Sequence, residues 1–129
     1  MSSPLSESSP AYNQAINLTG PGLAVAVVQL VSKLSVKDNL LEAALQIQRA
    51  SLKGAKLIML PESFAVFGDP QMVSYGAEAS TPKRGLRLWL SQQAKANKVW
   101  LIGGTIPCQQ GIRDPKKVRS ACFVYDHEG

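Results

Sequence analysis

Histidine occurs once in this chain, at His127, and cysteine twice, at Cys108 and Cys122. The side chains that most readily hold transition metals are therefore nearly missing, and two thiols in this spacing match no zinc pattern. Aromatic residues make up only 6% of the sequence, and none is interleaved with its basic clusters. A nucleic-acid-binding surface usually combines the two, so the net charge of +5 is read as solvated loop and helix faces. No apolar run approaches the ~20 residues of a membrane span. No positive charge precedes Lys33, which excludes both a secretory n-region and an Arg-rich transit peptide. Neither nucleic acid nor membrane is expected as a partner. A reduced, cytoplasmic setting is the expectation.

What is present suits one α/β domain. The 129 residues can bury a core of their own, and 45% of them are hydrophobic. Residues 1–22 are rich in Ser, Pro and Gly and predict a disordered leader. From Leu23 the pattern changes. LAVAVVQLV, residues 23–31, is a β-branched apolar run of the kind seen in strands buried on both faces. A helix is expected over residues 36–53. Ser35 and Asp38 form its capping pattern, Leu40, Ala44 and Ile47 an apolar stripe widened by Leu41, Leu45 and Leu52, and Gly54 its stop.

LIMLPE, residues 57–62, predicts a second strand, followed by a long connection over residues 63–80. Thr81 and Pro82 then suit the cap and first position of a second helix, ending near Asn97 with Leu86, Trp89, Leu90 and Ala94 on its apolar face. Residues 99–107 (VWLIGGTIP) and 119–126 (RSACFVYD) predict two more strands, able to pair as a hairpin across the polar, basic stretch between them. Gly103 and Gly104 inside the third strand suggest close packing or a bulge. The expected element order is β-α-β-α-β-β, with strands joined through helices running parallel.

One position stands out chemically. Glu62 interrupts an apolar segment, LIMLPESFAVFG over residues 57–68, at the carboxyl end of an expected central strand. Open α/β sheets bind ligands there. Pro61 supplies no ladder donor and ends regular pairing. A carboxylate partly desolvated at such a place is a candidate general base. The plain alternative is a Glu paired with a nearby Lys or Arg at a sheet edge. Position alone favours neither.

The ordered blocks VAVVQLVS-x-x-SVKDNL, GAKLIMLPESFAVFG, WLIGGTIP and a strand ending YDHEG resemble the nitrilase (carbon–nitrogen hydrolase) superfamily from about Leu23 to Gly129. The closest likeness is to the bacterial branch with omega-amidase-like and deaminated-glutathione-amidase-like proteins. This resemblance implies the N-terminal half of an α-β-β-α sandwich and a Glu–Lys–Cys triad acting on a small linear amide through a thioester, with no metal or organic cofactor. Its Glu maps onto Glu62 alone. The Lys and Cys blocks of the family lie beyond the strand that closes this sequence. Lys116, Lys117, Cys108 and Cys122 match neither, Cys122 reads as a small buried strand residue, and His127 as a surface turn residue. The chain alone is therefore expected to lack turnover and to self-associate through an uncovered apolar sheet face. Relatives often carry LPENF where this chain has LPESF, so Ser63 is expected to alter the hydrogen bonds around Glu62. The competing expectation is a non-catalytic interaction module keeping half the fold. A nucleotide-binding domain is disfavoured, because no G-x-G-x-x-G follows the first strand.

Overall fold

The computed structural model describes residues 22–68 and 71–129. The leader expected over residues 1–22 lies outside them, except for Gly22. Nine elements follow in order: β1 (Val25–Val27), α1 (Val36–Leu52), β2 (Leu57–Met59), α2 (Gln71–Glu78), α3 (Gly85–Asn97), β3 (Trp100–Ile102), β4 (Ile106–Cys108), β5 (Arg119–Ala121) and β6 (Val124–Tyr125). The main sheet has the order β1-β2-β3-β6, parallel through its first three strands, with β6 antiparallel at the edge. β4 and β5 form a separate antiparallel pair.

Helix α1 starts as the capping pattern requires: Ser35 Oγ accepts from the Asp38 N–H at 3.2 Å. It stops at Lys53, and Gly54 follows with φ +96. The buried stripe differs from the expected one. Val36, Asn39, Ala43, Gln46, Ile47 and Ala50 face inward, while Leu41 and Leu52 are exposed. Asn39 and Gln46 break the apolar signature of the true stripe, so the large leucines beside it dominate the sequence pattern.

The connection after β2 contains α2, which the sequence pattern did not suggest. Its Gly76 is buried so closely that a Cβ would meet Val118 Cγ1 at 2.6 Å. Helix α3 begins at Gly85, later than the expected Thr81 cap. Thr81 instead donates to Glu78 O at 3.5 Å, finishing α2. Residues 79–84 are used to turn the corner, since Glu78 sits against Gly85. The expected apolar face of α3 is correct: Leu86, Leu90 and Ala94 are buried and Trp89 packs against the core.

The third and fourth expected strands each break in two. Gly103 N–H donates to Phe123 O at 2.9 Å, where the long hairpin bends out of the main sheet into β4–β5. A Cβ on Gly103 would meet Leu90 Cδ1 at 2.7 Å, so helix α3 can approach the bend only over a glycine. The hairpin pairing itself, β3 with β6 and β4 with β5, matches expectation.

The two faces of the main sheet are unlike. Ala26, Ile58 and Leu101 share a register row and are fully covered. Val27, Met59, Trp100 and Val124 point the other way and are 48%, 42%, 49% and 55% exposed. The first strand is therefore buried on one face only among the described residues, not on both. The sheet is apolar on both sides, and the helices cover one of them.

Candidate active site

β2 lies inside the main sheet and delivers Glu62 beyond its carboxyl end. Ladder bonding persists through Leu60, whose N–H donates to Ile102 O at 2.9 Å. Pro61 then has no N–H to offer and the chain turns away. Leu60 on one side and Phe64, Ala65 and Val66 on the other are buried. The Phe64 ring lies 5.7 Å from that of Trp89 on α3, and full burial of such a side chain contributes roughly 3 kcal/mol. The turn carrying Glu62 is thus anchored at both ends by apolar burial.

Within the turn, Ser63 has φ +51, a left-handed conformation uncommon for a residue other than Gly, Asn or Asp. Its N–H donates to Thr105 Oγ1 at 3.0 Å, and its carbonyl accepts from Ser32 Oγ at 2.8 Å. Gly104, with φ +57, lies against the Pro61 carbonyl, where a Cβ would come within 2.8 Å of the Pro61 carbonyl carbon. The buried Asn39 ties the neighbouring loops together. Its Nδ2 donates to Lys33 O at 2.7 Å and Ala65 O at 2.9 Å, and its Oδ1 accepts from Lys33 N–H at 2.7 Å. Ser32, Glu62, Ser63 and Phe67 line an open cleft of about 350 Å³.

Glu62 itself is exposed. This corrects the expectation of partial desolvation: the adjacent apolar side chains turn into the core and leave the carboxylate outside. The sheet-edge ion pair is not found either, since among the described residues no Lys or Arg pairs with Glu62. Ser63 makes its hydrogen bonds through its backbone N–H and carbonyl, which any residue would offer, and the side-chain rearrangement expected around Glu62 is not seen among the described residues. Cys108 is buried in β4 with Sγ 3.6 Å from Ala79 O, whereas Cys122 is exposed at the bend between β5 and β6, against expectation. Lys116, Lys117 and His127 are exposed on turns. None of these cysteines or lysines lines the cleft with Glu62.

Sequence reasoning did not single out Ser32, Asn39 or Thr105. The available signal was weak: short polar residues beside strand ends, which are common in any loop. Among the described residues no three His, Cys, Asp or Glu side chains gather into a metal-binding group. No helix among them is long and apolar enough to cross a membrane.

An interior parallel strand ending in Leu-Pro-Glu, a glycine pair at the end of the next strand and helices on one sheet face define a class. The chain belongs to the carbon-nitrogen hydrolase family, whose sequence profile matches residues 24–129. It is similar to Nitrilase homolog 2 of Dictyostelium discoideum (32% identity over 105 residues, 81% of this chain and 30% of that protein). It is also similar to human Omega-amidase NIT2 (32% over 109 residues, 81% of this chain and 36% of that protein). Among solved structures it resembles Saccharomyces cerevisiae Nit3, a member of branch 10 of the nitrilase superfamily, with TM-score 0.67 and 32% identity over 81% of this chain and 40% of that one. An amidase from Nesterenkonia sp. shares the fold at TM-score 0.67 and 21% identity, over 88% of this chain and 41% of that one. The chain thus spans about a third of the length of these curated relatives. Its α/β architecture is the N-terminal part of the nitrilase fold.

Proposed function

We propose that this segment is the base-bearing part of a carbon–nitrogen hydrolase acting on a small linear amide, with Glu62 as general base. The observation that carries the reading is Glu62 at the mouth of the cleft, beyond the carboxyl end of an interior parallel strand, in a chain of this family. In the reaction, the carboxylate takes the proton of a Cys thiol as sulfur bonds to the amide carbon. The C–N bond then breaks, the same proton leaves with ammonia, and a thioester remains. Glu62 next accepts a proton from water as the hydroxide attacks the thioester, and returns it to the departing sulfur. A Lys ammonium stabilises the developing oxyanion. The Cys and Lys come from sequence beyond the blocks found here, so this chain alone is inactive. No metal or organic cofactor takes part, and the enzyme works in the cytoplasm.

The test is Glu62→Gln in the complete polypeptide that carries this segment, assayed for ammonia release from a panel of small amides. The expected result is a loss of about 10²–10⁴-fold in kcat, the usual contribution of a positioned base. Turnover within threefold of wild type rejects Glu62 as the base.

A second reading, a non-catalytic interaction module, is favoured by the open apolar face of Val27, Met59, Trp100 and Val124. On this reading the chain associates with a copy of itself through that face, and the complete polypeptide hydrolyses no amide.

A further inference from the structure

We infer that Thr105, with Ser32, positions Glu62 by clamping the peptide that follows it; the inference rests on Glu62 being the base. Among the described residues the Glu62 side chain has no hydrogen-bond or ion-pair partner, so what the fold sets is its starting point, the Cα–Cβ bond held by its own backbone. That backbone is held in a costly state. Ser63, the next residue, has φ +51. A left-handed non-Gly residue persists only where its surroundings over-determine it, and such residues cluster at functional sites.

Two bonds from distant parts of the chain supply that determination. The Thr105 hydroxyl accepts the Ser63 N–H at 3.0 Å and so fixes the Glu62–Ser63 peptide plane. Ser32 Oγ donates to the Ser63 carbonyl at 2.8 Å and fixes the next plane. The two planes meet at the Ser63 Cα and hold its left-handed φ, and the first also contains the Glu62 Cα, so it fixes one of the two planes from which the Glu62 Cα–Cβ bond springs. Gly104 makes the first bond reachable. Only a residue without Cβ can lie against the Pro61 carbonyl at φ +57 and bring the following hydroxyl to Ser63. The glycine pair after β3 thereby serves the turn after β2. Thr105 touches no reacting atom in this scheme; it is a positioning residue acting through the main chain.

The experiment compares Thr105→Val, Thr105→Ser, Thr105→Val with Ser63→Gly, and Glu62→Gln. Each is made in this chain and in the complete polypeptide. In this chain, backbone chemical shifts and amide exchange of Ser63 are read by NMR. Thr105→Val is expected to move Ser63 out of the left-handed region and speed its amide exchange at least about tenfold, since the N–H loses its acceptor. Thr105→Ser is expected to keep both. In the complete polypeptide, Thr105→Val is expected to lower kcat about 10- to 100-fold with KM within threefold, as for a base displaced by about 1 Å. Thr105→Ser restores kcat to within threefold, and Ser63→Gly restores part of the loss because Gly holds the conformation without the clamp.

A Thr105→Val protein with Ser63 still left-handed, or with kcat within twofold of wild type while Glu62→Gln is inactive, overturns the clamp alone. An active Glu62→Gln protein overturns the base assignment instead. Should Thr105→Val not fold, Ser32→Ala replaces it. There a fall in kcat of about tenfold at steady KM supports the clamp, and unchanged kcat overturns it.

Discussion

Asn39 shows how much one polar side chain can organise. It is 5% exposed and completes three hydrogen bonds to the backbone of two separate loops. Those loops carry Ser32 on one side and the residues after Glu62 on the other. Replacing Asn39 by Ala leaves the buried Ala65 carbonyl and the part-buried Lys33 N–H and carbonyl without their Asn39 partner. The expected cost is about 3 kcal/mol, read from the urea midpoint at unchanged slope. Leu in its place fills the volume but leaves the same groups unpaired, so it is expected to be no better. At this scale Glu62 was legible, because a carboxylate between apolar runs is conspicuous. Asn39 was not, because a buried Asn inside KDNL looks like any polar residue on the outer face of a helix. Ser63 was legible only as a departure from the pattern of relatives. Its φ of +51 is a conformation that Asn enters more readily than Ser.

The secondary elements divide into those set by local chemistry and those set by packing. Helix α1 is of the first kind. Its start is fixed by the Ser35 cap, so Ser35→Ala is expected to cost about 1 kcal/mol in thermal or urea unfolding, with the fold unchanged. Its end at Lys53–Gly54 follows from glycine's access to positive φ. Helix α2 is of the second kind: eight residues around a buried glycine have little intrinsic tendency to form a helix, and contact with β4 and Val118 supplies it. The start of α3 was displaced for a related reason. Thr81-Pro82 is a good local helix start, but the corner between α2 and α3 uses those residues. The broken hairpin follows the same rule. Residues 99–107 read as one strand, and the bend at Gly103 appears only when Leu90 and Phe123 are placed around it.

For the whole molecule, the unlike sheet faces have a physical consequence. Val27, Met59, Trp100 and Val124 form an apolar surface on the side away from the helices. Contiguous exposed apolar surface of this kind drives association. The 129-residue chain is expected to run as a dimer or larger species in size-exclusion chromatography with light scattering. Trp100→Glu is expected to shift it toward monomer, because a carboxylate at the centre of the face cannot be buried unpaired without a large desolvation cost. A monomer at all concentrations for the unmodified chain counts against association through this face.

The sequence alone determined the α/β class, the parallel succession of the first three strands, the α1 boundaries and the prominence of Glu62. Each depends on properties read within a few residues: β-branched runs, a capping hydroxyl, a proline without an N–H. Tertiary structure decided which face of α1 is buried, that α2 exists, where the hairpin bends, and that Glu62 stands exposed beside a strained Ser63. Those outcomes depend on groups 31 and 42 positions apart meeting in space, as at Ser32–Ser63 and Ser63–Thr105, and no local pattern encodes such a meeting.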